Sequence, residues 1–210
     1  MKKSIILIVA FLTMLTANSQ TLIQLPSPQT TGGLPTNEAL ALRRSVREFD
    51  KNHTLDLQTV SNMLWATCGV NRPESQRRTN PTALNWQEID AYYFDTTGVY
   101  RYDAFANTLV KVVDGDHREL LAGKEFKQEF VLDAPANVLL VGDTSKAGDG
   151  QRFVYIDGGI ANQNLNLFCA ANGLVTVPRG TMDQEGLKTL LNLPESTILI
   201  LNNPVGYPVN

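Results

Sequence analysis

A short run of arginines gives the chain its clearest potential for ligand chemistry. Arg43, Arg44 and Arg47 surround Ser45 within five residues, where a predicted helix gives way to a loop. Arginine binds phosphate oxygens through two parallel hydrogen bonds, and the serine hydroxyl adds a further donor. The spacing therefore predicts a site for a phosphate monoester, although a solvated basic surface would show the same pattern.

Two later segments could contact an aromatic ligand. Residues 81–87, PTALNWQ, come directly before a predicted strand and combine hydroxyl, amide and aromatic groups that can hydrogen-bond to a heteroaromatic ring and stack on it. In the sequence Pro178-Arg179-Gly180, the glycine would let a ligand approach the backbone closely. Taken singly, the first segment also fits a turn into a strand, and the second also fits an ordinary turn.

Several other chemistries are excluded by what the sequence lacks. It contains no G-x-S-x-G, P-loop or G-x-G-x-x-G motif. Its two histidines, His53 and His117, lie among polar residues and are expected at the surface, which leaves a histidine-dependent hydrolase little to work with. Cys68 and Cys169 are far apart, without the short spacings of metal sites. A formal net charge of -3 argues against a nucleic-acid partner.

The hydrophobic pattern predicts one α+β domain that positions these segments. The predicted helices are residues 37–44, 56–69, 119–130 and 155–172, and the predicted strands are residues 89–94, 99–102, 109–113, 136–141 and 197–201. Residues 136–141 are apolar except at Asn137, as in a central strand. Residues 71–85 are polar and predict a long loop, and residues 20–36 predict an extended arm outside the core.

The longest predicted helix, residues 155–172, has two kinds of face. Ile156, Ile160, Leu167, Phe168 and Ala171 recur on one side, which we expect to be the buried side. Its amides, Asn162, Gln163, Asn164 and Asn166, lie elsewhere around it. Because an unpaired amide is costly to bury, we expect them to face solvent or a partner chain.

The first nineteen residues resemble a cleavable signal peptide. Lys2 and Lys3 precede an apolar run at residues 5–15 that is short for a membrane span, and small residues follow at 17–19. This predicts a periplasmic or secreted protein with no membrane span after cleavage. An oxidising compartment would permit a disulfide between Cys68 and Cys169, but two buried free thiols are the favoured prediction.

In their order and spacing, the three ligand-binding segments resemble the nitroreductase-like FMN flavoprotein superfamily, over residues 37–210. RRSVREF resembles the family's opening signature, and RTNPTALNWQEIDAYYF is similar to its RxxPSxxNxQP loop and the strand that follows. VPRG resembles the turn whose backbone meets the flavin ring, and Gln128 stands where the family places an amide that contacts the pyrimidine edge. The site residues implied by the resemblance are Arg43, Arg44, Ser45, Arg47, Pro81, Thr82, Ala83, Asn85, Gln87, Gln128, Pro178, Arg179 and Gly180.

The resemblance implies a mostly antiparallel sheet flanked by helices and a homodimer joined along the helix 155–172. FMN would lie at the dimer interface, with the 81–87 loop supplied by the second subunit. The implied activity is hydride transfer between a small-molecule electron donor and acceptor, with no covalent catalytic residue. GVYRYD and MLWATCGV most resemble the SagB-type dehydrogenases, which oxidise azoline rings. The alternatives are an exported FMN-binding protein without turnover and a non-catalytic scaffold of the same fold.

One departure from the family pattern concerns the phosphate pocket. Many members carry a basic pair after the final strand, whereas residues 205–210 of this sequence, VGYPVN, contain no basic residue. The phosphate is therefore expected to depend on the arginines of residues 43–47, with Arg179 or the loop arginines Arg77 and Arg78 as substitutes.

Overall fold

The computed structural model describes residues 21–209, so the predicted signal peptide lies outside the described residues. Within them, the strands are β1 (Leu22–Gln24), β2 (Val70–Arg72), β3 (Arg77–Arg78), β4 (Ile89–Asp95), β5 (Gly98–Asp103), β6 (Thr108–Asp114), β7 (Ala136–Asp143), β8 (Val175–Thr176) and β9 (Thr197–Gly206). The helices are α1 (Thr36–Leu42), α2 (Leu57–Cys68), α3 (Arg118–Ala122), α4 (Phe130–Asp133), α5 (Gln151–Ala171) and α6 (Gln184–Leu190).

Seven strands form one sheet in the order β1-β6-β5-β4-β7-β9-β8, and the ladders within it are antiparallel. The predicted strands of residues 89–113 form the β4-β5-β6 meander. β7 lies inside the sheet, between β4 and β9, which confirms the prediction made from its apolar run. The predicted α+β class with a mostly antiparallel sheet is therefore confirmed.

Helices cover both faces of this sheet. Alternate residues of β7, such as Val138 and Leu140, pack in one core cluster with α2 and α5, while Leu139 and Val141 pack in a second cluster with α3, α4 and α6. Because both faces of β7 are buried, apolar side chains follow one another without interruption from Val138 to Val141.

The ends of α2 follow the local chemistry of the sequence. The Asp56 carboxylate accepts a hydrogen bond from the backbone N–H of Thr59 at 2.7 Å, which caps the first turn. Gly69 forms the C-cap. The helix predicted between these residues is confirmed.

Four sequence-based boundaries were wrong. The arm predicted for residues 20–36 is wrong at residues 22–25, because β1 pairs with β6 and Leu25 is buried, whereas residues 26–35 contain no helix or strand and are mostly exposed. The predicted loop 71–85 contains most of the β2-β3 hairpin and a short 3₁₀ turn at Ala83–Asn85. The predicted helix 119–130 is helical only in α3, which ends at Gly123 where φ is +104°, and α4 begins only at Phe130. The last strand continues to Gly206.

The buried face of α5 also differs from the prediction. Asn162 and Asn166 are buried, at 4% and 3% exposure, while Ile156 is 52% exposed. The asparagines are tolerated inside because they hydrogen-bond to each other and to Asn203 of β9. Neighbouring Tyr155 is exposed too, so the first half of α5 presents an apolar surface outward.

The two cysteines are buried free thiols, as the sequence favours. Burial raises the pKa of both thiols, that of Cys68 to about 12, so neither is poised to react. Among residues 21–209, no helix is long and apolar enough to cross a membrane.

Candidate active site

Residues 43–47, called the arginine segment below, lie against the short edge strand β8. Arg43 forms the C-cap of α1, and the chain then runs beside Thr176, whose backbone C=O accepts a hydrogen bond from Val46 N–H at 3.0 Å. Ser45 forms an isolated parallel bridge to the same residue. The segment is thus anchored through its backbone, while Arg44, Ser45 and Arg47 remain exposed and Arg43 is half-buried.

These arginines are not neutralised by the protein. Among the described residues, none of the three guanidiniums forms an ion pair with a carboxylate. Arg43 and Arg44 line a cavity of about 230 Å³ together with Asn166 of α5. The Asn166 Oδ1 atom is buried and has no hydrogen-bond donor among the described residues. Cations and a free acceptor beside one cavity can bind an anionic, hydroxylated ligand.

A network of buried polar groups supports this wall from below. The Asn166 amide donates to Asn162 at 2.8 Å, Asn162 donates to Asn203, and Asn203 donates to the Thr176 hydroxyl at 3.1 Å. Thr176 in turn donates to Pro204 C=O at 2.8 Å. The network joins α5, β9 and β8 beneath the arginine segment, so it fixes the position of the strand that holds Val46.

Arg179 is a buried cation bound only by neutral acceptors. Its guanidinium, in a residue only 6% exposed, donates to Gln128 Oε1 at 2.8 Å, to Leu121 O at 2.8 Å and to Asn202 Oδ1 at 2.6 Å. A longer bond reaches Ala122 O at 3.2 Å. Burial, and then the nearby positive charge of Arg47, lowers the pKa of Arg179 to about 10. The side chain therefore remains charged at neutral pH.

The turn that follows Arg179 is open toward solvent. Pro178 is half-buried and Gly180 is exposed, and a Cβ added at Gly180 would meet no atom within 4 Å. The Asn202 amide donates to Thr181 O at 3.0 Å and so holds the far side of the turn. A cavity of about 390 Å³ lies beside Gly180 and is also lined by Phe126, which is 78% exposed.

The 81–87 loop is held by bonds within itself, to α5 and to the β2-β3 hairpin, where Gln76 O accepts from the Gln87 amide at 2.9 Å. The Thr82 hydroxyl accepts from Gln87 N–H at 3.0 Å, and the Gln87 amide lies 3.4 Å from Asn85 Oδ1. Ala83 N–H donates to the Asp157 carboxylate of α5 at 2.8 Å. Leu84, Asn85 and Gln87 all have positive φ, and Leu84 is 86% exposed. Pro81 is exposed as well.

The structure brings together only part of the predicted site. Gln128 and Arg179 are hydrogen-bonded beside Gly180, and Arg47 is near enough for its charge to lower the pKa of Arg179. The segment containing Arg43, Arg44 and Ser45 is anchored next to β8. The 81–87 loop lies against Asp157, whereas the arginine cavity is lined by Asn166 and Cys169. At a rise of about 1.5 Å per residue, these two places are roughly 14–18 Å apart along α5.

Arg77 and Arg78 do not supplement the arginine segment. Arg78 is buried, donates to Ile89 O at 2.6 Å and lies over the Phe105 ring. Arg77 lies beside it in β3. Arg179, through its proximity to Arg47, is the better substitute of those considered from the sequence.

Three residues of the site were missed from the sequence. Asn202 is fully buried in the largely apolar strand β9, next to Asn203, and holds both Arg179 and the turn. An amide within an apolar strand is the signal that would have found it, because such groups need partners. Glu88 and Asp157, beneath the 81–87 loop, are buried carboxyl groups whose sequence neighbours give no comparable signal.

Comparison with known proteins agrees with this architecture. The model of the nitroreductase family matches residues 40–207. A protein described as a nitroreductase in Methanocaldococcus jannaschii is 29% identical over 198 residues, which are 89% of this chain and 96% of that protein. A solved structure of the same description from Ralstonia eutropha has a TM-score of 0.82 at 31% identity, with 92% of each chain covered. Another, from Anabaena variabilis, has a TM-score of 0.75 at 21% identity, with 90% of this chain and 42% of that chain covered.

The matched sequence and the antiparallel sheet between two helical layers, with a cationic segment at one sheet edge, identify the class of protein as the nitroreductases. The chain belongs to the nitroreductase family. It is accordingly an oxidoreductase of that family.

Proposed function

We propose that the protein is an FMN-dependent oxidoreductase that passes hydride from a small-molecule donor to a small-molecule acceptor. The observation that carries this proposal is the set of unpaired arginines at residues 43–47, next to a buried cation, Arg179, that has no carboxylate partner among the described residues. Positive charge without a counterion inside the protein favours a bound anion.

The residues present fit FMN in their chemistry. Arg43, Arg44 and Arg47 would bind the phosphate, and the orphaned Asn166 Oδ1 would accept a bond from a hydroxyl of the ribityl chain. The open turn at Gly180 would admit the ring to the backbone. When bound, FMN supplies the hydride chemistry, while Arg179 supplies a fixed positive charge that favours the reduced, more negative ring.

A homodimer would complete the site. Within one chain, the loop carrying Thr82, Asn85 and Gln87 is roughly 14–18 Å from the arginine cavity along α5. The exposed apolar side chains near that loop, Leu84, Tyr155 and Ile156, are a surface suited to a second copy of the chain. A two-fold axis across α5 would bring the loop of one chain toward the arginines of the other.

The substrates are proposed to enter beside Gly180. The cavity there is about 390 Å³ and is bordered by the exposed ring of Phe126 and by charged groups. An aromatic wall at an open cavity favours a flat substrate, such as a quinone, a nitroaromatic compound or a cyclic imine. With one cavity for both partners, donor and acceptor would bind in turn.

Reconstitution with FMN tests the proposal. The purified protein is incubated with FMN, separated from free flavin and examined by absorbance, then reduced anaerobically and mixed with a quinone or nitroaromatic acceptor. We expect stoichiometric flavin and its reoxidation by the acceptor. If flavin binds but is not reoxidised, the protein is an FMN-binding protein without turnover. If no flavin binds, it is a non-catalytic scaffold of the same fold. A variant with Arg43, Arg44 and Arg47 all changed to alanine should lose the flavin, and Arg152→Ala should keep it.

We also propose export, on the sequence pattern of residues 1–19 alone. Reduced nicotinamides are scarce outside the cytoplasm, so an organic donor or quinol should reduce the flavin faster than NADPH does. N-terminal sequencing of the protein from the producing cells tests export, since a mature chain should begin near Gln20. An intact Met1 would overturn it.

A further inference from the structure

Two buried carboxyl groups meet directly beneath the 81–87 loop. Glu88, which follows Gln87, is 1% exposed, and Asp157 of α5 is 5% exposed. The Asp157 carboxyl group lies near enough to Glu88 to raise the pKa of Glu88, by hydrogen bonding and by charge. Asp157 also accepts the backbone N–H of Ala83 at 2.8 Å, so the pair is joined to the centre of the loop.

This pair can be satisfied only when it holds a proton. Neither carboxyl oxygen of Glu88 has a donor on any other described residue, and two ionised carboxylates have none to offer each other. With a proton on Glu88, its O–H donates to Asp157, and Asp157 keeps a lone pair for Ala83 N–H. Loss of that proton leaves two adjacent negative charges in a buried place, which strongly disfavours the present arrangement.

The charged groups around Glu88 do not supply a full counterion. Besides Asp157, Lys146 is the charge that acts on Glu88, while Asp143 and Arg78 bond to the backbone carbonyl groups of Glu88 and Ile89. Lys146 lies nearest, but its Nζ is 3.4 Å from Gln87 O, and it attracts Glu88 only from a distance. The Asp143 backbone N–H donates to Glu88 O at 3.0 Å, and the Asp143 carboxylate accepts from the Ser145 hydroxyl at 2.6 Å. Arg152 stacks on Phe153, and Arg78 bonds to Ile89 O.

We propose that Glu88 and Asp157 share one proton and thereby position the 81–87 loop, so that the loop is held when the pair is protonated and released when both groups are ionised. The pair consists of positioning residues, since it acts through Ala83 and the loop rather than on a substrate. Its meaning for catalysis rests on the proposed function, in which this loop contacts the flavin of the partner subunit.

The proposal concerns this chain's own residues. The family motif that resembles the loop has a proline after the glutamine, whereas Glu88 stands there in this sequence. Burial, followed by the hydrogen bond and charge of Asp157, raises the pKa of Glu88 to about 7, against the lowering effects of its own backbone N–H and of Lys146. Release of the loop is therefore expected near neutral pH.

Hydrogen–deuterium exchange of the flavin-free protein tests the proposal without depending on the proposed function. Exchange of the segment 81–87 is measured from pH 5.5 to 8 and divided by the intrinsic rate at each pH. Because the pKa of Glu88 is raised from 4.5 to about 7, we expect the protection of this segment to fall by roughly 10- to 30-fold as the pH rises from 5.5 to 8. In Glu88→Gln, which keeps a donor to Asp157 but cannot ionise, protection should stay level.

An exposed residue provides a variant that leaves the fold intact. Lys146 lowers the pKa of Glu88, so Lys146→Ala should move the loss of protection to higher pH, while Lys188→Ala on α6 should leave it unchanged. Parallel pH profiles in the wild type and Glu88→Gln would overturn the proposal, as would an unmoved profile in Lys146→Ala. If FMN affinity is then measured over the same range, absence of binding would refute the proposed function and leave the exchange result standing.

Discussion

Replacing Arg179 with methionine should destabilise the protein substantially. Methionine is apolar and similar in length to arginine, so the substitution fills the same space but removes every hydrogen-bond donor of the guanidinium. It leaves Leu121 O and Asn202 Oδ1 buried without the donors that now reach them at 2.8 and 2.6 Å. Gln128 Oε1 loses its donor as well, but Gln128 is only half-buried, so water can replace that bond. Ala122 O keeps the N–H of Gln128, at 3.0 Å.

The magnitude follows from these two orphaned acceptors. An unmade buried hydrogen bond costs about 1–3 kcal/mol, so two give roughly 2–6 kcal/mol. Part of this loss in the free energy of unfolding is offset, because the substitution removes a buried cation whose charged form burial disfavours. We expect a net loss of about 2–4 kcal/mol in the free energy of unfolding. Arg179→Lys should lose less, since an ammonium reaches some of the acceptors but not all of them.

Urea unfolding followed by far-ultraviolet circular dichroism measures this loss, with the slopes of the transitions compared between variants. Arg152→Met is the matched control, because Arg152 is exposed and only stacks on Phe153, at 4.8 Å from the ring centre. It should change stability by less than about 1 kcal/mol. An Arg179→Met protein as stable as the control would refute the view that Arg179 holds the turn.

Four further predictions follow from the structure. Arg47→Ala should weaken FMN binding by about 1.5–3 kcal/mol, the value of a hydrogen bond to a charged group, in a fluorescence titration; equal affinity would reject the phosphate assignment. Ile156→Glu should convert a homodimer into monomers in sedimentation velocity, whereas a wild-type monomer that binds FMN would reject the shared site. Because the pKa of Glu88 is raised in the folded state, protonated Glu88 stabilises the fold fully below pH 4.5, and this stabilisation is lost as the pH rises to about 7. The free energy of unfolding, measured with urea, should therefore decrease less over this pH window in Glu88→Gln than in the wild type. Cys68 and Cys169 should react with a thiol reagent only after denaturation; rapid reaction of the native protein would contradict their burial.

Much of the fold could be predicted because the informative patterns are local. The apolar run of residues 136–141 identified β7, and Asp56 and Gly69 marked the ends of α2 within one residue. The arginine segment and the Pro178-Arg179-Gly180 turn were identified as candidate site elements for the same reason. Their side chains are distinctive within a few residues of sequence.

The errors arose where a residue's partner is distant in the chain. Asn162 is buried because its partner, Asn203, lies on β9, and no window around Asn162 contains that information. Ile156 was assigned to the core because periodicity detects an apolar face without telling which surface covers it. Glu88 was overlooked because its burial depends on Asp157 of α5, which no pattern near residue 88 indicates.

The anchoring of the arginine segment on Thr176 has a consequence for how the protein folds. The segment is near the start of the described chain, and its backbone bond joins it to β8, while β8 itself pairs with the last strand. Closing loops of such length is slow, since chain entropy must be lost before the contact forms. The arginines therefore reach their final arrangement only after the C-terminal strands have docked. Ligand binding at this segment would therefore indicate that folding is complete. In a chain whose β9 has not yet paired, the same arginines would be present without the strand β8 in place to order them.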